Sequence, residues 1–389
     1  MPPVPIPRLI QLALPLLLAL GGCAAVGPDY RAPTLPTPAT WSGAAAQPAQ
    51  DIAEWWKRLN DPILDQLVAE AIVANPDLEI ARARLREARA RRALADAGGA
   101  ASVTASASAR QTRNAANGGG TSGEVFSAGF DASWEPDVFG ATRRGKEAAA
   151  ADDEASAANL DAARVSLVAE VARNYIELRG DQARLEIARA NLASQSETLQ
   201  LVSWRAQAGL AGSLEVEQAR GNREQTRAQI PALETSLAQA EHQIALLLGQ
   251  APASLHTRLA AVAAIPRIPD SLAIGIPADT LRRRPDVRAA ERKLAAETAR
   301  IGVAEAARYP NFTLSGSLGL DSPRLPDLLS ASSLGHSLLA AVAGTLFDGG
   351  ALRQRVNIQT AFQEQALATY QGTLLTALRE VEDALVALA

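Results

Sequence analysis

Between Ala141 and Ala208 the chain contains no proline and only two glycines, Gly145 and Gly180. Such a stretch reads as one helix of roughly 65 residues, about 100 Å long at ~1.5 Å per residue. Within it Val171, Leu178, Leu185, Leu192 and Leu199 recur every seventh residue, the seam of a coiled-coil contact. The next residues are Gly209-Leu210-Ala211-Gly212-Ser213. Gly209 suits the position just past a helix C-terminus and Ser213 an N-cap, which predicts a tight turn between two helices. The return helix carries Ile230, Leu233, Leu237, Ala240, Ile244 and Leu247 at alternating spacings of three and four, and it stops at Gly249. Pro231 is expected to kink it. Together these predict an antiparallel hairpin far longer than a globular core needs.

The chain then repeats itself. Asn75-Pro76-Asp77-Leu78 is answered 209 residues later by Arg284-Pro285-Asp286-Val287. At the same offset Asp96-Ala97 meets Glu305-Ala306, and Thr104 to Ser108 meets Thr313 to Ser317. Gly140 meets Gly349 and Arg144 meets Arg353. One offset across helix, strand and strand–helix junction implies two copies of helix, strand, strand, long helix. Ala389 then corresponds to Gly180, whereas the first copy runs 69 residues further, to Gly249. On this alignment the second copy lacks its turn and return helix. The expectation is that a chain ending at Ala389 is either incomplete or disrupted and cannot close a tunnel.

Each copy opens with a helix signal. Asp61 is placed as cap with Pro62 at the first position, and Asn75 caps a second helix beginning at Pro76. The arginines of that second helix, interspersed with Glu79 and Glu87, read as a solvated face. Asp152-Asp153-Glu154 reads the same way. Ser102 to Ser108 and Val125 to Trp134 alternate with period two around a Gly/Asn-rich loop, a strand–loop–strand signal. Their side chains look small and weakly apolar on both faces, which excludes a packed core. Trp55-Trp56 reads as a packing anchor rather than a ligand platform.

At the N-terminus Arg8 precedes an apolar run from Leu9 to Leu20. A bilayer core needs about 20 apolar residues, so this run has the length of a signal-peptide core. It ends Leu20-Gly21-Gly22-Cys23, with the only cysteine of the chain. Small residues before a cysteine resemble the lipobox of bacterial lipoproteins, in which the thiol accepts a diacylglycerol. One acyl chain binds membranes only marginally, and stable anchoring takes two or more. Ala24 stands where an Asp would favour inner-membrane retention. Pro28, Pro33, Pro36 and Pro38 keep the next segment extended as a tether. The organisation expected is a signal peptide over 1–22, a lipidated tether over 23–50 and a first repeat over 51–251. A Pro-rich linker over 252–277 and a truncated second repeat over 278–389 complete it.

A net charge of −4 argues against nucleic acid. One cysteine and three scattered histidines, His242, His256 and His336, form no metal-ligand spacing. No catalytic constellation is evident, so no enzyme activity, metal or cofactor is expected beyond covalent lipid on Cys23.

Four strands cannot close a barrel, for which about eight are needed. An open sheet in lipid would leave unpaired backbone groups. If the strands are in a membrane, several chains must share one barrel. The charged long helices then lie outside it. The fold class is mainly α with a small β part, a two-fold repeat and four strands per chain contributing to a shared transmembrane β-barrel.

At this point the chain resembles the TolC-like outer-membrane efflux factors, most closely their lipid-anchored branch. The residues that carry the resemblance include Cys23 with Val26-Gly27-Pro28-Asp29-Tyr30, then Trp55-Trp56, Asp61-Pro62 and Asn75-Pro76-Asp77-Leu78. Trp134 to Gly140 and the turn Arg205 to Val216 follow. In the second copy they are Arg284 to Val287, Tyr309-Pro310-Asn311-Phe312 and Leu346-Phe347-Asp348-Gly349-Gly350. The resemblance implies a homotrimer with a twelve-stranded barrel and a helical tunnel. It implies a passive conduit for small molecules in the outer membrane, extending into the periplasm. Its implied partners are a periplasmic adaptor (membrane fusion) protein and an inner-membrane RND-type pump. The adaptor would meet the hairpin tip, Gly209, Leu210, Ser213 and Leu214. The competing readings are a coiled-coil spacer lipoprotein without a pore and a non-functional truncated subunit. A spacer has no use for two matched strand pairs.

Overall fold

The computed structural model describes residues 25–34, 54–114, 121–267, 281 and 283–388. The signal segment, Cys23, Ala24 and residues 35–50 of the tether lie outside them. The elements run in the order α1 (Pro62–Ala74), α2 (Pro76–Ala97), β1 (Ser102–Asn114), β2 (Thr121–Trp134), α3 (Ala141–Gln207), α4 (Ser213–Leu247) and α5 (His256–Leu259). Then come α6 (Pro285–Ala306), β3 (Asn311–Ser322), β4 (Leu334–Ala343) and α7 (Ala351–Leu388). Short 3-10 turns stand at Trp55–Leu59, Leu325–Asp327 and Ala331–Ser333.

The predicted caps of α1 and α2 form. Asp61 Oδ1 accepts from the amides of Ile63 (2.9 Å) and Leu64 (3.2 Å), with Pro62 at the first helical position. Asn75 Oδ1 accepts from Leu78 N at 2.9 Å. Its Nδ2 donates to Leu247 O at 2.9 Å, so the α1–α2 corner is tied to the end of α4. The helix bounds α2 and α6 differ by 209, as do the starts of β1 and β3. The long helices do not keep that offset. α3 starts at Ala141 and α7 at Ala351, after Gly140 (φ +82°) and Gly350 (φ +88°). Gly140 O accepts from Arg144 N, and Gly350 O from Gln354 N. The expected pairs Gly140/Gly349 and Arg144/Arg353 are therefore displaced by one inserted residue, which the extra glycine absorbs.

The chain forms two compact units. One contains residues 54–85, 158–267, 281, 283–286 and 378–388. Its core joins Leu64, Leu67, Val68 and Ala71 of α1 to Leu167, Val171, Tyr175 and Leu178 of α3, and to Ala240, Ile244 and Leu247 of α4. Trp56 is buried there, meeting Trp55 edge to face. Each fully buried aliphatic side chain contributes about 1.5–3 kcal/mol. The seam residues Val171, Leu178, Leu185 and Leu199 are buried and Leu192 is half-buried, as the seven-residue spacing predicts. Part of the expected linker departs from that reading. Leu255, the N-cap of α5, and Leu259, one helical turn on, enter this core, and Arg258 Nη1 donates to Glu70 Oε1 at 2.9 Å.

The same core holds a buried cation. Arg179 is fully buried and donates to Tyr175 OH (3.0 Å), Gln182 Oε1 (2.7 Å) and Ala261 O (2.7 Å). Tyr175 OH in turn donates to Asp61 Oδ2 at 2.7 Å. Burial, then the bond to Asp61, pushes the Tyr175 phenol up to about 12, so it stays a neutral donor between cation and cap.

The other unit contains residues 86–157 and 287–377 with the described N-terminal residues. Here the acidic run on α3 is paired, not merely solvated. Asp153 lies 3.2 Å from Arg92 of α2, while Asp152 meets Lys293 at 3.2 Å and also Arg300, and Glu154 meets Arg292 at 3.3 Å, all three on α6. Three adjacent carboxylates point to different sides of a helix, so they can serve two neighbouring helices at once.

The sheet order is β1-β2-β3-β4, every neighbouring pair antiparallel. Both outer strands are open edges among the described residues.

Candidate membrane sheet and hairpin tip

Residues directly opposite in an antiparallel ladder share a face. The register puts Val103, Ala105, Ala107 and Ala109 of β1 with Ala132, Phe130, Ala128 and Phe126 of β2. On that face β2 meets Leu314, Gly316, Leu318 and Leu320 of β3, which meet Ala340, Leu338, His336 and Leu334 of β4. The opposite face carries Ser102, Thr104, Ser106 and Ser108 beside Ser133, Asp131, Gly129 and Ser127. It continues through Thr313, Ser315, Ser317, Gly319 and Asp321 of β3 to Gly335 and Ser337 of β4, where Leu339 and Ala341 are the apolar residues on this face. The expectation of weakly apolar character on both faces is thus corrected. β1 alone is nearly featureless, and only the cross-strand sum separates an apolar face from a polar one.

The apolar face extends on β2 from Trp134 to Phe126, about 27 Å along a strand at ~3.4 Å per residue. At a tilt near 40° that is about 20 Å of height, close to the ~25 Å apolar band of an outer-membrane barrel. Below its lower end Phe139 stacks on Tyr309, with ring centroids 4.7 Å apart, and lies 6.4 Å from Phe312. Aromatic side chains gather where apolar surface meets water. On the polar face the carboxylate of Asp131 has no hydrogen-bond or ion-pair partner among the described residues, and its strand neighbours there are Thr104 and Ser317. Among the described residues no helix is long and apolar enough to cross a membrane.

At the far end of α3 the turn closes as a Schellman motif. Leu210 N donates to Arg205 O at 2.8 Å and Gly209 N to Ala206 O at 3.0 Å, with Gly209 at φ +73°. Ser213 is not the cap. It is the first residue of α4, the N-cap is Gly212, and no side chain caps the helix. Gly212 adopts the extended backbone a cap needs (φ −89°, ψ 162°), which displaces Ser213 by one position and leaves the first amides of α4 open. Leu210 and Leu214 are 70% and 69% exposed. Trp204 and Leu201 are exposed beside them in sequence. Of these exposed apolar residues the sequence reading singled out only Leu210 and Leu214.

Cys23 lies outside the described residues. Two residues on, the chain is held tightly. Val26 N donates to Phe139 O at 3.1 Å, and a Cβ on Gly140 would lie 2.4 Å from the Ala25 Cβ. Arg144 donates to Val26 O, Gly27 O, Asp29 Oδ1 and Glu147 Oε2 at 2.7–3.2 Å. Among the described residues no group of three or more His, Cys, Asp or Glu is placed to hold a metal.

Comparison with known proteins agrees with this geometry. A family model described as outer membrane efflux protein matches residues 67–250 and 276–389. Nodulation protein T of Rhizobium leguminosarum bv. viciae is 36% identical over 388 residues, covering 98% of this chain and 78% of the relative. Outer membrane protein OprJ of Pseudomonas aeruginosa is 35% identical over 390 residues, covering 96% and 80%. The solved outer-membrane channel OprN superposes with a TM-score of 0.88 at 38% identity, covering 93% of this chain and 82% of that one. The MtrE outer membrane channel of Neisseria gonorrhoeae, solved in its open state, gives a TM-score of 0.82 at 25% identity, covering 94% and 82%. With the two-faced sheet and the long helical hairpin, these matches establish that the chain belongs to the outer membrane efflux protein family.

Proposed function

We propose that the protein is the outer-membrane channel subunit of a tripartite efflux system, a passive conduit across the outer membrane and periplasm. The observation that carries this reading is the sheet. Its apolar face fits lipid, its polar face fits a water-filled lumen, and its two open edges would be unstable in lipid unless other chains pair with them. Three protomers would supply twelve strands and enclose the Ser/Thr/Asp face. The polar face also favours the channel over a coiled-coil spacer, which has no use for a lumen. The chain works by passage rather than by catalysis and needs no metal.

The hairpin tip, with Gly209 and Ser213 framing Leu210 and Leu214, docks a periplasmic adaptor that couples the channel to an RND-type inner-membrane pump. Cys23 carries the lipid and, with Ala25 fixed beside Gly140, places the acyl chains near the base of the strands. A residue-to-residue advance of at most ~3.6 Å gives the tether little slack there. The test is drug susceptibility of a deletion strain complemented with the wild-type chain or with Cys23→Ser. Restored resistance with the wild type supports the channel, and no restoration despite stable outer-membrane protein refutes it. Unchanged sorting and resistance with Cys23→Ser would refute the role of the anchor.

A further inference from the structure

In the sheet-bearing unit the chain makes one contact between its two copies and leaves the equivalent contact open. The segment leaving β2 seats against copy two. Val138 and Phe139 line a cleft of about 550 Å³ with Ala306 and Ala307 at the end of α6 and with Tyr309 and Phe312. The stacking of Phe139 on Tyr309 belongs to this seat.

The segment leaving β4 has an apolar pair of its own, Leu346 and Phe347, 208 residues after Val138 and Phe139 and so one position short of the repeat offset. Nothing among the described residues covers them, and they are 102% and 91% exposed. The matching seat in copy one is equally unused. Leu94 and Ala97 on α2 stand 209 residues before Val303 and Ala306 on α6, and Trp134 stands 209 before Ala343, another wall of the filled cleft. Leu94 and Trp134 are 73% and 42% exposed. Copy one therefore uses its projecting pair and leaves its seat empty, while copy two does the reverse.

The strand order says what fills the empty seat. Inside the chain, β2 pairs antiparallel with β3. That pairing brings the segment after β2 against α6, the helix before β3. The open edges are β4 and β1. Pairing β4 of one chain with β1 of the next would bring Leu346 and Phe347 against the α2 that precedes that β1. The contact joins two different surfaces, so it can repeat from chain to chain, and a closed shared barrel would make it a ring.

We propose that Leu346 and Phe347 of one protomer seat against Leu94, Ala97 and Trp134 of the next, repeating between chains the contact that Val138 and Phe139 make within each chain. This rests on the shared-barrel reading. The extra glycine after Asp348 gives the copy-two segment the freedom to reach across.

Disulfide trapping tests it in outer membranes carrying the full chain. Leu94→Cys with Phe347→Cys is oxidised with copper phenanthroline and read on a non-reducing gel, beside each single variant. Phe139→Cys with Tyr309→Cys serves as the internal control and should close within one chain. The expected result is a ladder of dimer and trimer from the double variant and from neither single. Oligomer on a native gel and closure of the internal control, without any intermolecular ladder, would overturn the proposed seat and leave the shared barrel standing. A wild-type chain that runs only as monomer on the native gel would overturn both.

Discussion

Arg144 on α3 donates through Nη2 to Asp29 Oδ1 at 2.7 Å, and the same guanidinium holds the carbonyls of Val26 and Gly27. Its side chain is almost wholly buried, while that of Asp29 is exposed. The carbonyl bonds, not the surface ion pair, therefore dominate. Gly27, at φ +88°, lies so close to α6 that a Cβ would meet the Gly302 Cα at 2.4 Å. Arg144→Met should destabilise the chain by about 1–3 kcal/mol and expose residues 25–30 to limited proteolysis. Arg144→Lys should rescue only partly, because one ammonium cannot reproduce the fork. Wild-type proteolysis of both variants would show that the clasp does not hold this segment.

Two glycines end helices in the same left-handed conformation but should not tolerate alanine equally. Gly209 (φ +73°) faces open space, whereas a Cβ on Gly249 (φ +67°) would lie 2.6 Å from Ala74 O. Gly209→Ala should cost about 1 kcal/mol from backbone strain alone. Gly249→Ala should add about 1–3 kcal/mol of overpacking against α1. Thermal unfolding of the purified variants measures the difference, and equal losses would contradict it.

Much of this fold could be read from the chain because its signals are local. Asp61, Asn75, Gly209 and Gly249 cap or end helices through bonds to residues a few positions away. The heptad leucines of α3 report burial because a helix keeps fixed faces. The sheet was less legible. Ser102 to Ser108 is almost all serine, threonine and alanine, and its lipid face appears only when Phe126, Phe130 and Leu318 are set beside it by pairing across 20 to 200 residues of sequence. The partners of Asp152 and Glu154 lie on α6, beyond any local pattern. Ser213 lost the cap to Gly212 because the glycine backbone already sits in the required region.

The tip should depend on its apolar residues rather than on the Ser213 hydroxyl. Leu210→Glu and Leu214→Glu should lower drug export while leaving channel abundance and native-gel mobility unchanged. Ser213→Ala should change neither, since no side chain caps α4. Full export by the double glutamate variant would remove the tip from the docking surface.

The two sheet faces should respond oppositely to one substitution. Leu318→Arg places a cation in the apolar band and should cost about 2–4 kcal/mol at mid-membrane depth. Ser317→Arg, on the next residue and the polar face, should assemble normally. Heat-modifiable mobility of the assembled channel on gels reads both, and equal defects would contradict the assignment of faces.

The most direct measurement of the central claim is current through the purified channel in a planar bilayer, carrying either Asp131→Cys or Phe130→Cys, before and after a charged, water-soluble thiol reagent. These adjacent β2 residues lie on opposite faces. The reagent should change the conductance of the Asp131→Cys channel and leave the Phe130→Cys channel unaffected. A conductance that responds at Phe130→Cys and not at Asp131→Cys would contradict the claim.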